Sequence, residues 1–197
     1  MSGFGQQNID FLTTQFDRMG IPEEDRQGFL DNLYGFSQNV RHIESDNNPL
    51  AAAKTTSAKG VYQFTDDSVT TGKNRMLNMG YGEDIISGIS SNPADWTDEQ
   101  ADSMFLANMF AQKGSDNLLK GVGTGDTKSM HDAYYQFHHK NPDEATKKRV
   151  GKFMPIDEVD TTMNDYNNQN MAFTSPANNQ LSKSELADFW SKDWTKV

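Results

Sequence analysis

The sequence predicts a mainly α-helical domain followed by a polar C-terminal arm. Apolar residues recur at steps of three and four through most of the chain before Pro155, the period of a helix with one buried face. No stretch alternates apolar and polar residues as a half-buried strand does. After Pro155 the composition shifts to Asn, Gln and small polar residues, which bury too little apolar surface to build a core. The helical domain is therefore assigned to residues 1–155 and the arm to residues 156–197.

The first helix is expected from about Asn8 to Met19, with Ile9, Leu12, Phe16 and Met19 on its inner stripe and Gly20 as terminator. Pro22 opens the next segment in a favoured first-turn position. From there Phe29, Leu33, Phe36, Val40 and Ile43 form one stripe leading to Glu44, with a break expected near Gly35. Residues 45–61 read as a loop, since they contain Asp46, Asn47, Asn48, Pro49 and Gly60.

A further helix is expected from Thr65 to Met79, where Asp66 and Asp67 suit the positive end of its dipole. Thr97 with Gln100 three residues on is a capping box. Between Met104 and Ala111 only Asn108 is polar, so that helix is expected to be buried on nearly all sides. Gly121 to Gly125 read as a flexible break. Helices are then expected from Thr127 to His139, with Met130, Ala133, Tyr134 and Phe137 inward, and from Pro142 through Phe153. In the arm, Leu186, Phe189, Trp190 and Trp194 form a short amphipathic piece, either a strap packed on the domain or a docking peptide.

The 197 residues suffice for one domain with a sizeable core. With 18 basic against 28 acidic residues the formal charge is −10, so phosphate backbones and anionic membranes are not expected partners. The one dense basic stretch, Lys147, Lys148, Arg149 and Lys152, reads as a solvated helix face. There is no cysteine, which excludes disulfides and thiolate metal sites. Residues 1–10 contain neither a basic nor an apolar leader segment, so no signal peptide is expected. No apolar run approaches the length of a membrane span.

Glu44 stands four residues after Val40 and eleven after Leu33, within about 40° of both around a helix. A carboxyl group closing an apolar stripe is expected to be partly desolvated, which disfavours its ionised form. Such a group can give a proton to a glycosidic oxygen. Periodicity alone fits an ordinary helix-end carboxylate equally well.

The residues that follow add a pattern. Glu44-Ser45, then Asn48-Pro49-Leu50-Ala51, then Ser57-Ala58-Lys59-Gly60-Val61-Tyr62-Gln63-Phe64 together resemble the signature of soluble lytic transglycosylases. The likeness is to the branch found in phage virion proteins and bacterial cell-wall lysins. Tyr135, His138, Asn141, Pro142 and Ala145 are similar to a second block of that branch, and the resemblance covers roughly residues 25 to 155. It implies a lysozyme-like fold of the lytic transglycosylase type, acting on the MurNAc–GlcNAc bond of peptidoglycan with no metal or other cofactor.

By the same resemblance Glu44 is the general acid and Tyr135 the tyrosine that orients it. Ser57, Tyr62, Gln63 and His138 match substrate-binding positions. Gln63 either bonds a sugar or stabilises its turn, and His138 is either substrate-facing or structural. Asn141 replaces the branch's usual glycine, and Ser68-Val69 stand where a tryptophan is common. Asp46, Asp66 and Asp67 are the nearby carboxylates, and none has a spacing that compels the second-carboxylate role of a hydrolytic muramidase.

The resemblance also implies peptidoglycan glycan strands as partner, with other virion proteins engaged through the arm. It implies carriage in a phage particle or, as the alternative, host cytoplasm before holin-mediated release. Two other classes compete: a glycan-binding virion protein that keeps the fold without cutting, and a zinc peptidase. The clustered histidines His131, His138 and His139 lack a His-Glu-x-x-His pattern, which disfavours the peptidase.

Overall fold

The computed structural model describes residues 3–111, 115–130 and 134. They form α1 (Gln6–Met19), α2 (Glu23–Ser45), α3 (Asp66–Asn78), α4 (Glu83–Gly88), a 3-10 turn (Pro93–Asp95), α5 (Asp98–Ala111) and α6 (Ser115–Thr124). Residues 127–130 are also helical. Among the described residues there is no sheet, only isolated bridges pairing Ala52 with Lys59 and Lys59 with Phe64. The protein is thus mainly α-helical, as its periodicity predicts. No helix among these residues is long and apolar enough to cross a membrane. The expected helix from Pro142, the basic stretch at 147–152, and the arm with Leu186, Phe189, Trp190 and Trp194 lie outside the described residues.

The chain divides into two packing units. One contains Phe16–Phe36 and the described residues from 115 onward. Here Phe29 meets Phe16 edge-on at 5.0 Å, and Phe36 meets Tyr134 at 6.0 Å. The Asn32 amide donates to the Val122 carbonyl at 2.8 Å, so α2 is hydrogen-bonded to α6.

Two expectations fail in this unit. The break expected at Gly35 is absent, and α2 runs unbroken through it. One interior glycine costs a helix about 1 kcal/mol, less than burying the large residues on either side returns. Nor does the break begin at Gly121: α6 continues through Gly121 to Thr124, and the interruption falls at Gly125, with φ 68°. A Cβ at Gly121 would lie 2.8 Å from the Met130 backbone nitrogen, so this glycine serves a close approach.

The other unit contains Gly3–Gln15 and the described residues from Ser37 to 111, and it includes every described candidate site residue. Its centre is α5, buried continuously from Ala101 to Met109, with α3 packed along it. The capping box forms as expected: the Thr97 hydroxyl accepts from the Gln100 amide at 3.2 Å, and Gln100 Oε1 accepts from the Thr97 amide at 3.0 Å. Of the expected inner stripe of α1, Leu12, Phe16 and Met19 are buried, but Ile9 is half-buried and Asn8 is fully buried in its place. The Asn8 amide donates to the Glu99 carbonyl at 3.1 Å, and its oxygen accepts from Ser103 at 2.8 Å and Tyr81 at 3.2 Å. A polar residue so placed wins the buried position because α5 offers it partners.

The start of α5 depends on its cap. Thr97→Ala is expected to destabilise the protein by about 1 kcal/mol, measured as a lower urea midpoint at unchanged slope.

Candidate active site

The site grows from the last turn of α2. Glu44 and Ser45 end that helix, and Asp46 and Asn47 follow at φ 55° and 59°. The Asp46 amide bonds the His42 carbonyl at 2.8 Å, and the Asn47 amide bonds the Arg41 carbonyl at 3.2 Å. This left-handed cap closes the helix with Asp and Asn, which tolerate positive φ better than most residues. The Glu44 side chain is half-buried, consistent with its place at the end of the stripe.

Residues 46–64 fold back on that helix end through their own backbone. The Ser45 hydroxyl lies 2.8 Å from the Val61 carbonyl and 3.0 Å from the Arg41 carbonyl, so its single proton joins the far end of the loop to the helix. Lys59 and Phe64 exchange two backbone bonds of 3.0 Å, and the Gly60 amide reaches the Ala51 carbonyl at 2.9 Å. Gly60 stands at φ 76°, and a Cβ there would lie 2.8 Å from the Pro93 carbonyl oxygen. Only glycine meets both conditions.

The residues matched to substrate binding are placed differently from one another. Gln63 sits at φ 53°, and its amide donates to the carbonyls of Gly60 at 2.8 Å and Ala51 at 3.2 Å. Of its two readings, the turn-stabilising one describes these contacts. Ser57 is half-buried, and its hydroxyl accepts from the Asp66 amide at 3.1 Å, tying the loop to the start of α3. Tyr62, expected to line the groove, is instead 2% exposed. Its ring stacks on Phe105 at 4.4 Å and its hydroxyl donates to Asp102 Oδ1 at 2.6 Å. The reason is the partners α5 offers it: an aromatic face for the ring in Phe105 and an acceptor for the hydroxyl in Asp102. Tyr135, His138, His131, His139 and Asn141 lie outside the described residues.

Asp46 is exposed, with Oδ1 2.8 Å from His42 Nδ1, while Asp66 and Asp67 occupy the exposed first turn of α3. None of the described residues forms a cluster of carboxylates and histidines suited to a metal.

Around Tyr62 lies a polar cluster whose other members, Arg41 and Asp102, are absent from the expected site residues. Arg41, one turn before Glu44, is buried. Its Nε donates to Asn47 Oδ1 at 2.9 Å, its Nη2 to Asp98, and its Nη1 lies 3.7 Å from Asp102 Oδ1. Burial pushes the Asp102 carboxyl up to about 6, against the opposing effects of Tyr62 and Arg41. Burial also pushes the Tyr62 hydroxyl well above its ordinary value, with the Asp102 charge adding to it. The sequence signal was an acidic residue and an arginine, each within a largely buried helical stretch. What it lacked was any indication that the two meet.

Comparison with protein-family models, curated proteins and solved structures finds nothing that matches this chain.

The raised carboxyl of Asp102 has a stability consequence of definite sign. The folded protein binds this proton more tightly than the unfolded chain, so the contribution is complete below the ordinary value of 3.8 and is lost as pH rises through about 6. Between pH 7 and pH 5 the wild type is expected to gain about 1 kcal/mol relative to Asp102→Asn, measured by urea unfolding of both at each pH.

Proposed function

We propose that the chain is a peptidoglycan-cleaving enzyme with a lysozyme-like fold, using Glu44 as general acid and base on the MurNAc–GlcNAc bond. The observation that carries the reading is the half-buried Glu44 at a capped helix end, with the Asn-Pro and Gly-x-Tyr-Gln-Phe loop folded back beside it through Ser45. The resemblance of these residues to the lytic transglycosylase signature supplies the substrate class.

In the proposed reaction Glu44 protonates the oxygen leaving C1 of the muramoyl unit, and positive charge develops at that carbon. The C1–oxygen bond breaks and the GlcNAc side leaves as an alcohol. The Glu44 carboxylate then takes the proton of the muramoyl 6-hydroxyl, whose oxygen bonds C1 to close a 1,6-anhydro ring. The proton lent in the first step returns in the second, so no water is consumed. Ring closure is preferred to hydrolysis because none of the nearby carboxylates, Asp46 after α2 or Asp66 and Asp67 on the exposed start of α3, has a spacing that compels a second-carboxylate role. Tyr135 is assigned to orient the acid. Ser57 and Gln63 shape the wall, and His138 is assigned to the substrate side by resemblance alone. Carriage in a virion and release at the cell wall suit the charge of −10, which gives no general attraction to an anionic wall.

Digestion of purified peptidoglycan by wild type and Glu44→Gln, read by mass spectrometry of the products, tests the reading. Anhydro ends from the wild type are expected, with release by Glu44→Gln lower by about 100- to 10,000-fold. Reducing ends would make the protein a muramidase. Sedimentation with the wall without release from either form would identify a glycan-binding virion protein and end the enzyme reading.

A further inference from the structure

We propose that Arg41, Asp102 and Tyr62 are positioning residues for Glu44, joining both ends of the 46–64 loop to α5 so that its wall is held in fixed register with the last turn of α2. This deepens the glycan-cleaving reading and rests on it.

The geometry is a chain of polar contacts with α5 as its base. One guanidinium reaches the turn after Glu44 through Asn47, and reaches α5 through Asp98 and Asp102. The carboxylate of Asp102 receives the Tyr62 hydroxyl at 2.6 Å, two residues after the Gly60–Pro93 approach begins the far end of the loop. Stacking on Phe105 fixes the Tyr62 ring, and with it the direction of that hydroxyl. The Arg41 guanidinium carbon also lies 5.8 Å from the centre of the same ring. Arg41 and Glu44 are three residues apart on one helix, so displacement of one moves the other.

Energetics argue that this cluster serves geometry. A buried ion pair is often no more stabilising than well-packed apolar side chains of equal volume. Its directional bonds, unlike apolar contacts, set distance and orientation. A wall that must sit within a fraction of an ångström of the reacting sugar needs such supports.

Asn47→Gly is the sharpest variant: it deletes the acceptor on the turn, while glycine keeps the φ of 59° without strain. With full-length protein and soluble glycan strands, kcat is expected to fall about 10- to 100-fold, with KM and melting temperature nearly unchanged. Arg41→Lys, which keeps the charge but not the fork, should lower kcat in the same way.

Asp102→Asn supplies a pH readout. The charged and titratable groups around Asp102 are Arg41 on α2, Tyr62 in the loop, Asp98 and Glu99 on its own helix, and Tyr81 after α3. Wild-type kcat should fall as pH drops through about 6, where Asp102 takes up a proton and releases Arg41. Asp102→Asn should lack that step and work at the lower rate throughout. An active wild type with unchanged kcat in Asn47→Gly, or with the same acidic step in Asp102→Asn, overturns this inference and leaves the enzyme reading standing. An inactive wild type overturns both.

Discussion

The carboxylate of Asp102 sits in a helix that is covered on every side from Ala101 to Met109. A polar group in that position has no water to turn to, and leaving it unmet would cost several kcal/mol. Much of the surrounding arrangement follows from that constraint. Tyr62 enters the core hydroxyl first, Arg41 lies along the inner side of α2, and the loop that carries Tyr62 must return to α5 for the contact to exist. The neighbouring Ser103 and Asn108 obey the same rule. Ser103 shares a bond with Asn8 of α1, and Asn108 turns back to the Met104 carbonyl of its own helix while accepting from Arg75. In this unit α5 is therefore a polar scaffold as well as an apolar one.

The loop beside Glu44 shows how a segment without regular secondary structure can still be firmly built. Its bonds run across it between residues nine and twelve apart in places, from Ala51 to Gly60 and from Ala51 to Gln63. Its two turns use positive φ at Asp46, Asn47, Gly60 and Gln63. Its ends are tied by Ser45 to α2 and by Ser57 to the start of α3. Several of the motif residues that suggest sugar contact by resemblance thus spend their polar groups on the loop itself. That division of labour gives the loop fixed donors and acceptors, the preorganisation that the proposed cleavage would use.

In the proposed reading the acid and its supports differ in exposure for a physical reason. Glu44 is half-buried at the end of α2. Arg41, Asp102 and Tyr62 are buried, where low dielectric strengthens their mutual bonds and excludes competing water. Of the three, Arg41 stands on α2 itself, one helical turn before Glu44. As proposed, the proton donor has to be reached, and its brace has to be kept dry.

The sequence by itself determined the local features. Helical spacing placed α2 and α3 almost to the residue, Thr97 and Gln100 marked their capping box, and the apolar run around Met104 announced the buried helix. Each is set by contacts within a few positions of the chain, which periodicity and turn chemistry record directly. The Glu44 loop was recognisable from its Asn, Pro and Gly content for the same reason. Tertiary structure alone decided which polar residues go inside. Asn8 displaced Ile9 from the buried face because Glu99, Ser103 and Tyr81 were there to bond it. Tyr62 turned from the expected groove into the core because Asp102 waited forty positions away, and Gly121 stayed helical because Met130 packs against it. Such choices depend on partners distant in sequence, and no local pattern contains them.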